Sequence, residues 1–362
     1  MYVQTGDVND DEIAATAPVT YAGRPSRANM EVQENDVLVA RMKATKKVLV
    51  VTAVEKDYLF STGFAVLRPK TSMISPRFLA YYFRSNGFQT EKDRNAHGAT
   101  QKAINNSSLE RMDIPLPPLD EQATIASALE RVDRLLRNRR KADRIATTLT
   151  QSVFLNRFGD PSKVKKWPNL SLGELCLLIR DGPHKRPQYQ SSGVPFITVH
   201  NISEDGFDLD NVFYISPQDH EQLRKRVEPR KGDVLYTKGG TTGIAREVDV
   251  DFEFSIYVHV AVLRPKPHLM NPTFLEVALN SKYCKTQAAR LTRGIANRDL
   301  VLGQMKQVLV PTPPLVLQKR FASLVARVRT LRERQRASGR EINRLLDCLM
   351  DKAFTGELRI AS

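Results

Sequence analysis

Short apolar runs broken by Gly, Pro, Asn and Asp fill two separate stretches of the chain. The first holds DVLVARM, KVLVVTAV and FAVLRPK, and the second holds VPFITVHNI, DVLYTK and SIYVHVAVLRP. Runs of this length, rich in β-branched residues and bounded by turn formers, predict strands. Each set is followed by a segment opening on Ser-Pro or Asn-Pro, SPRFLAYYFRSNGFQTEK and NPTFLEVALNSKYCKTQAA, which predicts a short helix. The period then changes. Apolar residues recur at Ile125, Leu129, Val132 and Leu136, with Ala146, Leu149 and Val153 further on. After the second set they recur at Phe321, Leu324, Val328, Leu331, Ile342, Leu345 and Leu349. The series Phe321, Val328, Gln335, Ile342, Leu349 steps by seven, as does Ile125, Val132, Arg139, Ala146, Val153. A heptad sustained this long predicts a coiled-coil seam, with Arg139 and Gln335 as a polar central layer that sets register.

The two halves are copies. FAVLRPK at 64–70 returns as VAVLRPK at 260–266, and SPRFL at 75–79 returns as NPTFL at 271–275. Pro117, Pro118, Leu119 and Gln122 fall on Pro313, Pro314, Leu315 and Gln318. Gly98 falls on Gly294, and Phe158 on Phe354. One offset, 196, relates all of these, and NDVLVAR at 35–41 answers GDVLYTK at 232–238 with one residue of slippage. A repeat this long is a tandem duplication of a domain plus a helix, not a solenoid. YVQTGDV at 2–8 answers FITVHNI at 196–202, which leaves the segment matching Trp167–Pro195 without a counterpart ahead of the first copy. The predicted organisation is α+β. A first β-rich domain spans 1–116 and is N-terminally incomplete. A long spacer helix spans 117–158, a second β-rich domain 159–312, and a second spacer helix 313–358. Equal heptad phase in the two helices predicts that they pair as an antiparallel coiled coil related by a pseudo-twofold axis. A helix of forty residues runs ~60 Å, a ruler suited to two DNA-reading modules separated along one duplex.

Composition narrows the partner. The chain of 362 residues carries 55 Lys and Arg against 40 Asp and Glu, a formal charge of +15, which favours a polyanion. At 41% hydrophobic it is globular and not a basic disordered tail. Cys176, Cys284 and Cys348 stand apart, with neither zinc spacing nor a disulfide framework. No apolar run approaches a membrane span and the first residues lack a signal-peptide core, so a reduced cytoplasmic setting is expected.

KGDVLYTKGGTTGIAREVD, residues 231–249, has the glycines of a phosphate cradle. A P-loop needs Gly-Lys-Ser/Thr between strand and helix, whereas Gly243 leads into Ile244, Ala245 and another strand-like run. A hairpin with glycines at positive φ fits better. The six histidines show no metal spacing, and no nucleophile elbow or cofactor fingerprint is present. What stands out is loops of cations and amides. Arg180–Gln190 offers His184, Lys185, Arg186 and Tyr189. The hairpin offers Lys238, Thr241, Thr242 and Arg246, with Arg41 and Lys43 as counterparts in the first copy. The loops ahead of the Pro-rich lead-ins offer His97, Thr100, Gln101 and Lys102, and in the second copy Arg293, Asn297 and Arg298. These side chains suit phosphates and base edges. The basic helices, the second with Arg327, Arg329, Arg332, Arg334, Arg336 and Arg340, suit an acidic protein or the backbone of a DNA spacer.

GDVLYTKGGTTG, AVLRPK before a short helix, GATQKAINNSSLERMDIPLPPLDEQ, the long helices and the final DKAFTGEL together resemble the specificity subunit of type I restriction–modification systems. GIANR at 294–298 departs from the pattern that GATQK at 98–102 follows. The resemblance implies two target-recognition domains, each reading half of a bipartite DNA sequence, on a spacer of two paired helices. It implies a subunit that is not itself an enzyme and binds no cofactor. Two modification subunits would use S-adenosylmethionine to methylate adenine, and restriction subunits would cleave DNA with ATP and Mg. The competing expectations are an adaptor for an acidic protein and a nuclease.

Overall fold

The structure, a computed structural model, describes residues 1–357 except 10, 164–165, 185, 205 and 295–297; the side chains of 144 and 147 are also outside it. The chain folds as two compact units, Met1–Lys141 together with the chain from Arg336 onward, and Ala142–Gln335.

The first unit begins with β1 (Tyr2–Val3), the hairpin β2 (Val8–Asn9) and β3 (Glu12–Ile13), and β4 (Ala28–Met30). Then come β5 (Val37–Ala40), β6 (Val48–Val50), β7 (Leu59–Ser61) and β8 (Phe64–Leu67), followed by α1 (Pro76–Arg84), α2 (Asn86–Arg94) and α3 (Asn106–Leu109). β6, β5 and β8 form an antiparallel sheet in that order, and β1 runs parallel to β7 beside β4. The run VLVA of β5 is buried on both faces. Val37 and Val39 pack with Leu79, Phe83 and Phe88 of the short helices, while Leu38 and Ala40 pack with Phe60 and Phe64. That is why the run is continuously apolar instead of alternating. The long α4 (Leu119–Phe158) starts in this unit and ends in the other.

The second unit adds β9 (Asn169–Ser171), α5 (Leu172–Leu175), β10 (Cys176–Asp181), β11 (Val194–Ile197), β12 (Ile202–Ser203), β13 (Gly206–Phe207), β14 (Phe213–Ile215) and α6 (Pro217–Arg224). β15 (Val234–Thr237), β16 (Ala245–Glu247), β17 (Ser255–Ile256) and β18 (Val260–Pro265) follow. The rest is α7 (Pro272–Leu279), α8 (Lys282–Leu291), α9 (Leu302–Met305), β19 (Leu309–Pro311) and the long α10 (Leu315–Thr355). Its main sheet runs β10-β18-β15-β16, the order of the first unit's sheet with one further strand, β10. The parallel pair β11·β17 joins Phe196 to Ser255 as β1·β7 joins Tyr2 to Leu59, which matches YVQTGDV to FITVHNI residue by residue.

Two glutamines repeat one joint. Gln122 of α4 accepts from the Ser75 amide (2.8 Å) and donates to the Met73 and Pro117 carbonyls (2.9 and 2.7 Å). Gln318 of α10 accepts from the Asn271 amide (2.9 Å) and donates to Leu269 and Pro313 (3.0 and 2.8 Å). Each ties the start of a long helix to the loop ahead of the preceding short helix. It satisfies backbone groups that the Pro-rich turn leaves without ladder partners.

Both long helices enter both units, and within each the pairing is antiparallel. In the first unit Ile125, Ala126, Leu129 and Leu136 of α4 pack with Leu346, Met350 and Ala353 of α10. In the second Phe154 and Phe158 of α4 pack with Phe321 and Val325 of α10. Phe354 meets Phe78 at a ring separation of 5.3 Å, and its counterpart Phe158 meets Phe274 at 5.0 Å. The seam differs from the heptad reading in one respect. Leu149, Leu331 and Leu345 are exposed by 44%, 58% and 50%, while Val325, Leu346 and Met350 are buried. Val132, Leu324, Val328, Ile342 and Leu349 are half-buried beside them. The second stripe thus lies four residues after the heptad positions Phe321 and Ile342, not three, because each helix packs on its own domain as well as on its partner helix.

Candidate nucleic-acid interface

In the second unit Lys238 follows the end of the strand β15, and three loops meet there. The Lys238 amide donates to the His259 carbonyl (2.8 Å), and its own carbonyl accepts from Leu300 (2.7 Å). Gly240 donates to the Arg298 carbonyl (3.1 Å), and the Thr242 and Thr292 hydroxyls lie 3.1 Å apart. The hairpin is therefore bonded to the loop 292–300 before the second Pro-rich lead-in. Its glycines are needed where they stand. Gly240 and Gly243 have φ of 68° and 88°, and a Cβ on Gly239 would lie 2.1 Å from His259 Nδ1. This is packing against a protein side chain, which answers the phosphate-cradle appearance of the sequence.

Lys238 itself is 5% exposed. Its ammonium lies 3.0 Å from Asp299 and 3.6 Å from Asp181, so one buried cation ties together the ends of all three loops picked out from the sequence. Asp181 is also held by Arg226. Two of the expected contact residues are therefore engaged within the protein. Lys238 is spent on the Asp181–Asp299 clip, and Arg246 is buried in ion pairs with Asp249 and Glu276. Both cations are buried and already neutralised by carboxylates. Around the clip, His184, Arg186, Thr241, Arg293 and Arg298 are exposed. Tyr189 is half-buried, stacked on Phe213 (4.3 Å, 9°) with the Arg186 guanidinium 5.3 Å from its ring. Lys185 and Asn297 lie outside the described residues.

The first unit builds the same meeting of loops by other means. Met42 and His97 both bridge to Ala103, as Gly239 and Arg293 bridge to Asp299. Lys43 donates its amide to the Lys102 carbonyl (2.9 Å). Arg41 stands where Lys238 does, but its guanidinium donates to the Phe64 and Ile104 carbonyls (3.1 and 3.4 Å), and burial lowers its pKa. Like Lys238 it fastens the loops to the sheet. Sequence reasoning missed Lys92. It is fully buried, and its ammonium donates to the Met42 and Thr45 carbonyls (3.2 and 2.7 Å), propping the turn that presents Lys43. A lysine in the middle of GFQTEKDR gives no sign of this role. Lys43, His97, Thr100, Gln101 and Lys102 are all exposed along the joined loops.

The chemistry available is therefore contact by exposed cations, hydroxyls and amides held on two bonded loops per unit. Among the described residues no cluster of His, Cys, Asp and Glu could hold a metal ion, and no helix is long and apolar enough to cross a membrane.

Comparison with known proteins gives the family of the chain. A sequence model of the type I restriction modification DNA specificity domain matches residues 2–145 and again 164–337. The EcoBI specificity subunit of Escherichia coli is 25% identical over 313 residues, 77% of this chain and 65% of that subunit, just under two-thirds of its length. The MjaIX specificity subunit of Methanocaldococcus jannaschii is 22% identical, covering 82% of this chain and 72% of that one. The EcoKI specificity subunit of E. coli K12 is 21% identical, covering 92% and 76%. Among solved structures, the fold is shared with a chain from work on complex assembly and conformational transition of the type I system. There the TM-score is 0.60, with 23% identity over 99% of this chain and 91% of that one. It is shared also with the type I S subunit from M. genitalium (TM-score 0.54, 17% identity, 99% and 89%). With two matched copies of the specificity domain, each ending on a long helix, this chain belongs to the family of type I restriction–modification specificity subunits.

Proposed function

We propose that the chain reads a bipartite sequence in double-stranded DNA, one half with each β-rich domain, and directs adenine methylation and restriction carried out by partner subunits. One observation supports this above the others. Both units, different in sequence at the loops, join the same two loops by the same backbone bridges and line them with exposed cations, hydroxyls and amides. A duplicated frame with divergent tips is what two half-sites of different sequence require. In this reading 1–116 and 159–312 are the recognition domains, and 117–158 and 313–358 the spacer.

The partner reading is two modification subunits per chain, holding S-adenosylmethionine, with restriction subunits holding ATP and Mg and none of these bound by this chain. It is supported by a repeated apolar surface. Leu135 and Leu331 are exposed by 54% and 58%, Leu149 and Leu345 by 44% and 50%, and each pair is related by the repeat offset. Each unit thus presents one such leucine from each long helix. Equivalent exposed apolar positions in two copies fit two copies of one partner. The family match supports neither the adaptor nor the nuclease alternative.

The test is mapping of methylated adenine in DNA of a host carrying this gene and a modification gene, with and without this gene. A two-part motif that vanishes on deletion establishes the reading. An unchanged methylation pattern overturns it.

A further inference from the structure

Each β-rich domain sits on a long helix through one ion cluster, and the two clusters have opposite polarity. In the first unit Asp133 of α4 is 5% exposed. It accepts from Arg84 of α1 (2.9 Å) and from the Tyr81 hydroxyl (3.0 Å), and Asp11 lies 3.4 Å from Arg84 and 2.8 Å from Arg137. In the second unit Arg329 of α10 donates to Glu276 of α7 (2.6 Å) and to Glu247 of β16 (2.9 Å), with Asp249 at 3.9 Å. The repeat offset of 196 puts Asp133 on Arg329. It puts Ala80, one turn before Arg84 on the same face of α1, on Glu276. The central charge that the helix supplies is an anion, Asp133, in one socket and a cation, Arg329, in the other; α4 also places the half-buried Arg137 on Asp11 at the edge of the first. Asn280, the counterpart of Arg84, is occupied instead with the Ala245 backbone (3.0 and 2.8 Å).

We propose that Asp133 and Arg329 are positioning residues that key each recognition domain to its own helix, so that the two domains cannot be interchanged without exchanging the key. A second-unit domain seated on α4 would bring Glu276 and Glu247 against Asp133. A first-unit domain seated on α10 would bring Arg84 against Arg329. In a partly buried site such like-charge contacts are costly, because neither group is solvated or paired.

The deciding experiment compares Asp133→Arg in two full-length chains. One is the parent. The other is a chimaera whose residues 1–116 are replaced by a second copy of 167–312. The key predicts opposite signs: Asp133→Arg lowers the melting temperature of the parent by several degrees and raises that of the chimaera. In complex with the modification subunit, the chimaera should methylate a motif with the second half-site on both sides at least tenfold better with the Asp133→Arg substitution than without it. The same sign in both chains, or no effect in either, overturns the key. If neither chimaera folds, the parent decides through Asp133→Asn, Arg84→Gln and their combination. Arg84→Gln should then add less than twofold to the loss of first half-site methylation once Asp133 is neutral, and two independent losses refute the coupling. The methylation readout rests on the proposed DNA reading, whereas the melting readout does not. Sign reversal in melting without sequence-specific methylation would keep the key and reject that reading.

Discussion

The most informative substitution is Lys238→Ala, because it separates a phosphate ligand from a fastening. The ammonium is buried between Asp299 at 3.0 Å and Asp181 at 3.6 Å. Removing one partner of a buried pair costs about 3–5 kcal/mol when the other charge is left stranded. Here the cost is smaller. Asp181 keeps Arg226, and the Asp299 side chain is 39% exposed and recovers some hydration. A loss of ~2–3 kcal/mol is expected, enough to unlatch the loops 181–190 and 292–300 from the hairpin without unfolding the sheet beneath. The assay is duplex binding by the assembled complex between about 50 and 200 mM salt. Each phosphate contact contributes a slope of about 0.9 in log affinity against log salt. Lys238→Ala should weaken binding to the specific sequence by at least tenfold while leaving that slope unchanged. Arg298→Ala, which removes an exposed cation, should lower the slope by about 0.9 and leave melting unchanged. A slope that falls for Lys238→Ala, with unaltered melting, would show that the lysine leaves Asp299 to meet a phosphate and would refute the fastening.

Other outcomes follow from the same geometry. Gln318→Ala strands one amide and two carbonyls at the second Pro-rich turn and should cost about 2–4 kcal/mol in urea unfolding. An unchanged midpoint would mean that water replaces the glutamine. Gly239→Ala places its methyl against His259 and should abolish selective duplex binding while retaining most of the melting temperature; intact selectivity would show that the hairpin tip is free to move. Cys176 and Cys284 are buried, and burial pushes each thiol up to about 12, while Cys348 is exposed. Maleimide should therefore label one thiol per folded chain, and more than one would contradict the packing. Burial raises the Asp36 carboxyl, but the Arg68 guanidinium and the Gln33 amide outweigh it and hold the group below its ordinary value. Its contribution is whole above the ordinary Asp range near pH ~3.9 and is lost as pH falls through the lowered value. Asp36→Asn should flatten that acid limb of the stability curve; an identical limb in both proteins would exclude Asp36 as its source.

What the sequence made legible was what repeats. The offset of 196 marked the twin domains, the twin glutamines and the phenylalanines Phe158 and Phe354 that close the end of each long helix on the other copy's short helix. It also held a correction to the seam. Leu129 shifted by 196 falls on Val325, the residue that is buried, whereas the heptad count chose Leu324. Periodicity alone misled because a helix packed on two neighbours has a wider apolar face than a two-helix seam. The contact residues were harder. Lys238, Arg246 and Arg41 look like Arg298 or Lys43 in sequence, and only the placement of Asp181, Glu276 or the Phe64 carbonyl shows that they are already engaged. Asp133 carried no signal, and Arg329 stood out only as one of several arginines on a basic helix, read as facing a partner and not its own domain.

The division of the long helices between the units bears on how the chain is made. The unit 142–335 is one uninterrupted stretch, whereas the other needs residues 1–141 and the chain from 336 onward. As the polypeptide leaves the ribosome, the later unit can finish first, because Phe154 and Phe158 find Phe321 and Val325 before Leu346, Met350 and Ala353 have emerged. The earlier sequence must wait, with Ile125, Ala126 and Leu129 uncovered, for the last turns of the final helix. Loss of those turns to a protease or a premature stop would spare the middle of the chain and undo its beginning.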